Sequence, residues 1–237
     1  MDYTIWIQSV DNYPISDDTM SAFIGFREKG GNIKLFEDIE EVPISRYNII
    51  VGFIEETSKY FKKLGIETPL SLNIPSEIRH YAGRKISETT MGEFRKDNTY
   101  PIFAKPNGLA KEFVAGVIKK PEDKILFLKD VPDESPVLLS EVVSFTSEWR
   151  GYVINGELQT IKHYLGDFRI FPDTKIIESA IKDYKSAPIG YSIDFGITND
   201  GKTLLIECND GWSLGNYGLD SSTYSKLLAK RWLQIIN

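Results

Sequence analysis

Apolar and polar positions alternate in short bursts along most of this chain, and only a few stretches carry the 3.6-residue spacing of a helix. Residues 3–8 (YTIWIQ), 32–37 (NIKLFE) and 48–53 (NIIVGF) predict strands. Residues 16–29 predict a helix opened by Ser16-Asp17-Asp18 and closed by Gly30-Gly31. In EETSKYFKKLG (55–65), Tyr60, Phe61 and Leu64 fall on one side of a second helix that stops at Gly65. Strands alternating with helices predict a small α/β unit over residues 1–75. Pro69 and Pro75 mark 68–77 as a connector to whatever follows.

From about residue 85 the pattern becomes richer in strands. SETTMGEFRK (87–96) reads as a short helix, and 100–106, 112–118, 124–128 (KILFL) and 135–145 (SPVLLSEVVSF) as strands. Residues 147–154 and 157–164 flank Asn155-Gly156, the strongest short hairpin signal a sequence carries. Residues 191–198 and 202–209 flank a second turn, Asn199-Asp200-Gly201. A final helix begins near Ser221-Ser222, with Tyr224, Leu227, Leu228 and Leu233 as its apolar face. Hairpins with few helices between them predict an α+β fold, not a doubly wound parallel sheet.

Composition narrows the classes of function. With 237 residues, 41% hydrophobic and 26% charged, the chain has the make-up of a globular protein able to bury a core. A net charge of −6 leaves no basic footprint for nucleic acid or an anionic membrane. No apolar run reaches the length of a membrane span, and the opening residues lack a basic n-region, so a cytoplasmic protein is expected. One cysteine excludes an internal disulfide, and two histidines exclude a histidine-rich metal site.

The candidate chemistry lies at the second hairpin. By strand alternation Leu205, Glu207 and Asn209 share one face, and Leu204, Ile206 and Cys208 the other. A two-residue type I′ turn at Asp200-Gly201 puts Asp194 opposite Glu207. Carboxylates so placed repel unless one is protonated or a cation lies between them. With the carbonyl oxygen of Asn209 they form a hard-oxygen set suited to Mg²⁺. A one-residue slip would instead make this an exposed polar face. Cys208, on the opposite side, belongs to the core.

SIDFGITNDGKTLLIECND (192–210) resembles the metal hairpin of the ATP-grasp ligases, in which an Asp and a later Glu-x-Asn hold Mg²⁺. The resemblance spans roughly residues 80–215. It implies an ATP-grasp fold of two α+β lobes clasping a nucleotide, over 76–140 and 141–237, after an N-terminal α/β lobe over 1–75. PIFAKP (101–106) is similar to the family strand whose lysine contacts phosphates, which gives Lys105 that role. Residues 107–116 take the place of the family's glycine-rich loop, with Gly108, Lys111 and Gly116. LLSEVVSFTSEWR (138–150) resembles the nucleotide segment of D-alanine–D-alanine ligase-like members. There Glu141 would bind the adenine amino group, Ser144 would supply hinge backbone and Glu148 would bind ribose. Val142, Val143 and Ile206 are candidate adenine walls. Arg150, and Lys162 in TIKHYLGD (160–167), would face the phosphates. The family's earlier lysine is missing; Arg79, Arg84 or Lys85 could serve, and Arg84 is the preferred choice.

The resemblance implies ATP- and Mg-dependent ligation of a carboxylate, on a small molecule or a peptide, to an amine through an acyl phosphate. The transferring phosphoryl group would be stabilised by Lys105, Arg150 and Lys162. Glycines 211, 215 and 218 would let backbone N–H groups approach a substrate carboxylate. The alternatives are another ATP-using transferase on the same fold, such as a kinase or an RNA-end ligase, and a non-catalytic nucleotide sensor or scaffold. The acidic balance argues against nucleic acid, and homodimers are common among such folds.

Overall fold

The computed structural model describes residues 3–108 and 112–237. Its elements are β1 (Thr4–Val10), β2 (Tyr13–Pro14), α1 (Asp17–Glu28), β3 (Asn32–Phe36), β4 (Asn48–Val51) and α2 (Ile54–Lys63). Then come β5 (Ile86–Thr90), α3 (Met91–Lys96), β6 (Ile102–Pro106), β7 (Gly116–Ile118), α4 (Pro121–Leu128) and β8 (Pro136–Ser140). The chain ends with β9 (Phe145–Ile154), β10 (Glu157–Gly166), α5 (Thr174–Asp183), β11 (Gly190–Thr198), β12 (Thr203–Asp210) and α6 (Ser221–Ile236).

These strands form three sheets, each from a successive stretch of chain. In the first, β1 is flanked by β3 and β4, both parallel to it, with β2 antiparallel at its end. The parallel crossover from β1 to β3 runs through α1, whose Ser16 cap accepts from the Thr19 N–H while the Thr19 hydroxyl accepts from the Ser16 N–H. The second sheet is antiparallel in the order β5-β8-β6-β7, and the third in the order β10-β9-β11-β12. The Asn155-Gly156 hairpin joins β9 to β10 as its sequence predicts, with both residues at positive φ.

Four expectations for residues 85–145 need correction. Residues 87–90 extend β5, and only 91–96 are helical, because the Thr90 hydroxyl caps α3 at the Glu93 N–H. KILFL lies in helix α4, not a strand. Pro121 opens that helix and Asp123 accepts from the Lys119 and Lys120 N–H groups. A four-residue apolar run holds no period that separates helix from strand, and here Leu128 is buried while Ile125 and Leu126 are exposed. The 112–118 strand contracts to β7, and 135–145 splits into β8 and the first residue of β9, with 141–144 as a linker.

Each sheet feeds its own interior, but not in equal isolation. Met91, Phe94, Leu128 and Val137 belong to a core within the second sheet and its helices. Ile193, Phe195, Leu205 and Cys208 pack with α5 and with Ile78 and Ala82 of the 3₁₀ stretch Ser76–Ala82. The largest cluster joins Ile5, Ile7, Phe36 and Phe61 to Tyr152 and Ile154 of β9, to Trp212 and Leu214, and to Trp232 of α6. Phe61 stacks on Trp232 at 4.6 Å between ring centroids.

Within the third sheet Arg150 of β9 stands directly across from Asp194 of β11. Its Nε and Nη2 donate to the two carboxylate oxygens at 2.8 and 2.6 Å, with the side chains 8% and 2% exposed. Removing one partner strands a charge in a medium that solvates it poorly. Arg150→Met should therefore lower unfolding stability by about 3–5 kcal/mol in urea titrations, and Arg150→Met/Asp194→Leu should recover most of that loss. A single variant with the wild-type midpoint would show that the pair is not buried as described.

α1 and α6 approach so closely at Gly25 that a methyl group there would sit 1.9 Å from the Ser221 carbonyl oxygen. Helix propensity favours alanine over glycine by about 1 kcal/mol. Overpacking against rigid backbone costs about 1–3 kcal/mol or more. Gly25→Ala should thus destabilise the fold despite the better helix former, and a rise in its melting temperature would contradict this packing.

Candidate functional site

The hairpin between β11 and β12 turns differently from its sequence expectation. The Gly201 N–H donates to the Thr198 carbonyl at 2.9 Å, and the Thr198 N–H to the Lys202 carbonyl at 3.0 Å. Gly201 has φ +79° while Asn199 and Asp200 stay at negative φ, so the loop has three residues, not a two-residue type I′ turn. Pairing then starts one residue away from the expected register: Ile197 faces Thr203 and Phe195 faces Leu205. A bulge at Ile206 restores it, and Asp194 does face Glu207.

The bulge also changes which side chains share a face. Leu205 joins Cys208 in the buried core, so it does not share a face with Glu207 as strict alternation predicts. Glu207 and Asn209 turn to the opposite side, with the Asn209 amide donating to Glu207 Oε1 at 3.0 Å. The bulged backbone is held by Arg84. Its Nη1 donates to the carbonyls of Leu205 (2.8 Å) and Ala82 (3.1 Å), and its Nη2 to that of Ile206 (3.2 Å). Burial lowers the Arg84 pKa. Three of the five N–H donors of Arg84, the residue expected at the phosphates, are thus taken by backbone carbonyls, and its side chain does not line the cleft beside β12. Of its two competitors, Arg79 pairs with Glu88 and Lys85 is exposed.

A cleft of about 1220 Å³ lies between the first lobe, the connector, the β6 exit and the loop after β12. Lys105, Arg150, Glu207 and Asn209 meet in its wall. Lys105 Nζ, from the second sheet, reaches Glu207 Oε2 of the third at 2.5 Å. Burial pushes the Glu207 carboxyl up, but the Lys105 ammonium and the Asn209 amide outweigh it and hold its pKa below the ordinary value. Asp194 lies behind this wall, 1% exposed. Burial raises its pKa to about 6 against the opposing pull of Arg150, and the Glu207 charge adds to the rise. Arg150 is driven the other way: burial lowers it, and the Asp194 contact more than compensates, so its pKa rises.

The nucleotide candidates gather elsewhere. Glu141, Val142, Val143 and Ser144 form the linker between β8 and β9. The Lys85 N–H donates to Glu141 Oε2 at 2.8 Å, and the Glu141 N–H to the Lys85 carbonyl at 3.1 Å. Val142 is 38% exposed. Glu148 of β9 faces Leu165 and Gly196, and Lys162 of β10 faces Arg150. Burial, with the nearby Asp194 and Glu148 carboxylates, raises the Tyr164 phenol pKa. None of these side chains, nor Ile206 in the bulge, lines the 1220 Å³ cleft. In the loop at 107–116, residues 109–111, including Lys111, lie outside the described residues.

The donor set can be tested against a metal. Among the described residues no group of three or more His, Cys, Asp and Glu is assembled for one. A cation here would depend on Glu207 and the Asn209 carbonyl oxygen in the cleft wall, with Asp194 behind. Both Asp194 oxygens bond Arg150, yet each carboxylate oxygen has a second lone pair. Hard oxygens of this kind fit Mg²⁺.

Three residues whose place at the site has no signal in the sequence stand beside it. Asn73, in the connector at φ +44°, accepts from the Cys208 N–H at 2.6 Å, and its amide donates to Asn107 Oδ1 at 2.6 Å. Asp18 accepts from the Asn216 N–H at 2.8 Å. Tyr217 at φ +45° lays its ring 4.4 Å from the Arg150 guanidinium. Trp149 and Trp212 are buried packing groups.

Among the described residues no helix is long and apolar enough to cross a membrane. No curated protein sequence matches the chain. The solved D-alanine–D-alanine ligase from Bacillus anthracis is similar in fold at a TM-score of 0.60 and 14% identity, over 100% of this chain and 98% of that one. D-cycloserine synthetase DcsG is similar at 0.63 and 10% identity, over 98% and 100%. The L-amino acid ligase from Bacillus licheniformis is similar at 0.55 and 11% identity, over 99% and 73%. A family model described as an ATP-grasp domain, family 2 of its clade, matches residues 81–227. That match covers more than half of the sequence and holds both the Lys105 strand and the β11–β12 hairpin, and the chain belongs to this family of ATP-grasp domains.

Proposed function

We propose that the protein is an ATP- and Mg-dependent ligase that joins a carboxylate to an amine through an acyl phosphate. The observation that carries this reading is the meeting of Lys105 and Glu207, from different sheets, beside the Arg150–Asp194 pair in one cleft wall. Ligases of D-alanine and of L-amino acids among the similar structures support a small carboxylate as substrate.

In the first step a substrate carboxylate oxygen attacks the γ-phosphorus of ATP, and the bond to the β-phosphate oxygen breaks to release ADP. An amine then attacks the acyl carbon, phosphate leaves, and the amine proton is lost to water. Little covalent work falls to the protein, which aligns the reactants and offsets charge. Lys105, Arg150 and Lys162 are the cations we assign to the phosphates. Glu141 and Ser144 are assigned to adenine, with Val142, Val143 and Ile206 as its walls, and Glu148 to ribose. Glu207 and Asn209, with Asp194 behind them, would hold Mg²⁺, which when bound screens the β- and γ-phosphate charge. Arg84 keeps β12 bulged so that Glu207 faces the cleft.

Isothermal titration should show ATP binding that depends on Mg²⁺, and ADP should appear when candidate carboxylates and amines are added together. Binding without ADP release under any acceptor would favour a nucleotide sensor over a ligase. Glu207→Gln keeps the shape of the side chain but loses a metal ligand and the partner of Lys105. Its turnover should fall by about 100-fold or more with the unfolding midpoint little changed. Wild-type turnover in that variant would remove Glu207 from the metal site.

A further inference from the structure

Tyr217 holds a backbone conformation that a bulky residue rarely adopts, at φ +45° on the rim of the cleft. Such strain persists only where the surroundings over-determine it. Here Asn216 does so. Its amide donates to Ser21 Oγ (2.6 Å) and to the Leu219 carbonyl (3.1 Å), and its Oδ1 accepts from the Gly218 N–H (2.6 Å). Its own N–H reaches Asp18 of α1 at 2.8 Å, and the Tyr152 hydroxyl donates to its carbonyl. The loop is thus clamped on both sides of a residue that is 53% exposed yet does not swing its ring away into solvent.

The ring instead covers Arg150. The guanidinium carbon lies 4.4 Å from the Tyr217 centroid and 5.9 Å from that of Tyr164, and the two rings are 5.5 Å apart. Asp194 takes the Nε and Nη2 edge of the same guanidinium. Among the described residues no acceptor bonds Nη1, and Arg150 lines the cleft. One edge is fixed by a carboxylate and one face by an aromatic ring, which leaves a single edge for an anionic ligand.

We propose that Tyr217 is a positioning residue that holds Arg150 so that its Nη1 edge meets the terminal phosphoryl group of ATP. This rests on the ligase reading above. It requires that strain at Tyr217 serve the arginine's orientation and not merely close a loop.

MgATP and MgADP differ by that phosphoryl group, so titrating each into the whole protein isolates the contact. Wild type should bind MgATP about 10-fold or more tightly than MgADP, the worth of one charge-assisted hydrogen bond. Tyr217→Gly accepts the left-handed backbone without strain but lacks the ring. It should bring the ratio towards one and leave MgADP affinity unchanged. Tyr217→Phe keeps the ring and should keep the ratio. Tyr217→Asn, which also tolerates this backbone, supplies the same readout if the glycine variant misfolds. The inference is overturned by a wild-type ratio near one, by a ringless variant that keeps the wild-type ratio, by Tyr217→Phe losing it, or by equal weakening of both nucleotides. Failure of wild type to bind MgATP at all would instead overturn the ligase reading on which it rests.

Discussion

The Arg84 guanidinium grips the carbonyls of Leu205 and Ile206, and the site geometry follows from that grip. A bulge leaves carbonyls out of the ladder, and half-buried carbonyls need donors. Arg84 supplies them from the chain just after the 3₁₀ stretch, so the extra residue in β12 is stabilised from outside the sheet. Were β12 to alternate strictly, Glu207 and Asn209 would share the face of Leu205 and point into the hydrophobic interior. The positive charge of Arg84 serves the backbone, and the cations of the cleft come from β6 and β9.

Two ion pairs then divide the electrostatic work. Arg150 and Asp194 neutralise each other inside one sheet, where neither charge would be tolerable alone. Lys105 and Glu207 meet across two sheets and remain in reach of solvent. The Arg150–Asp194 pair is sealed off, while the Lys105–Glu207 pair is the one that solvent reaches, and under the proposed function its partners would be exchanged for phosphate and cation.

Sequence reasoning reached the hairpins through their turn residues, because Asn-Gly and Asn-Asp-Gly signal by chemistry that acts within a few bonds. It found Asp194 opposite Glu207 by assuming a tighter turn than the chain makes, and a bulge that leaves no compositional mark brought the two back together. KILFL is ambiguous because four apolar residues suit a helix face and a strand equally. Charge alone marks Arg84 as a phosphate ligand, yet its bonds reach carbonyls more than a hundred positions away, which no local pattern encodes. Asn73, Asp18 and Tyr217 were invisible for a related reason: each matters through a backbone conformation or a contact made only after the lobes have packed. The interior was easier, since Tyr224, Leu227 and Leu228 follow the helical period that buries them.

The largest core draws side chains from stretches far apart in the chain. Phe36 and Phe61 of the first lobe close around Trp232 of the last helix, and Tyr152 and Trp212 from between them complete the same interior. The borders of the family resemblance, at residues 81 and 227, therefore do not coincide with borders of cooperative unfolding. The opening strands are half of an interior whose other half is translated much later, so synthesis must run past Trp232 before this core can close.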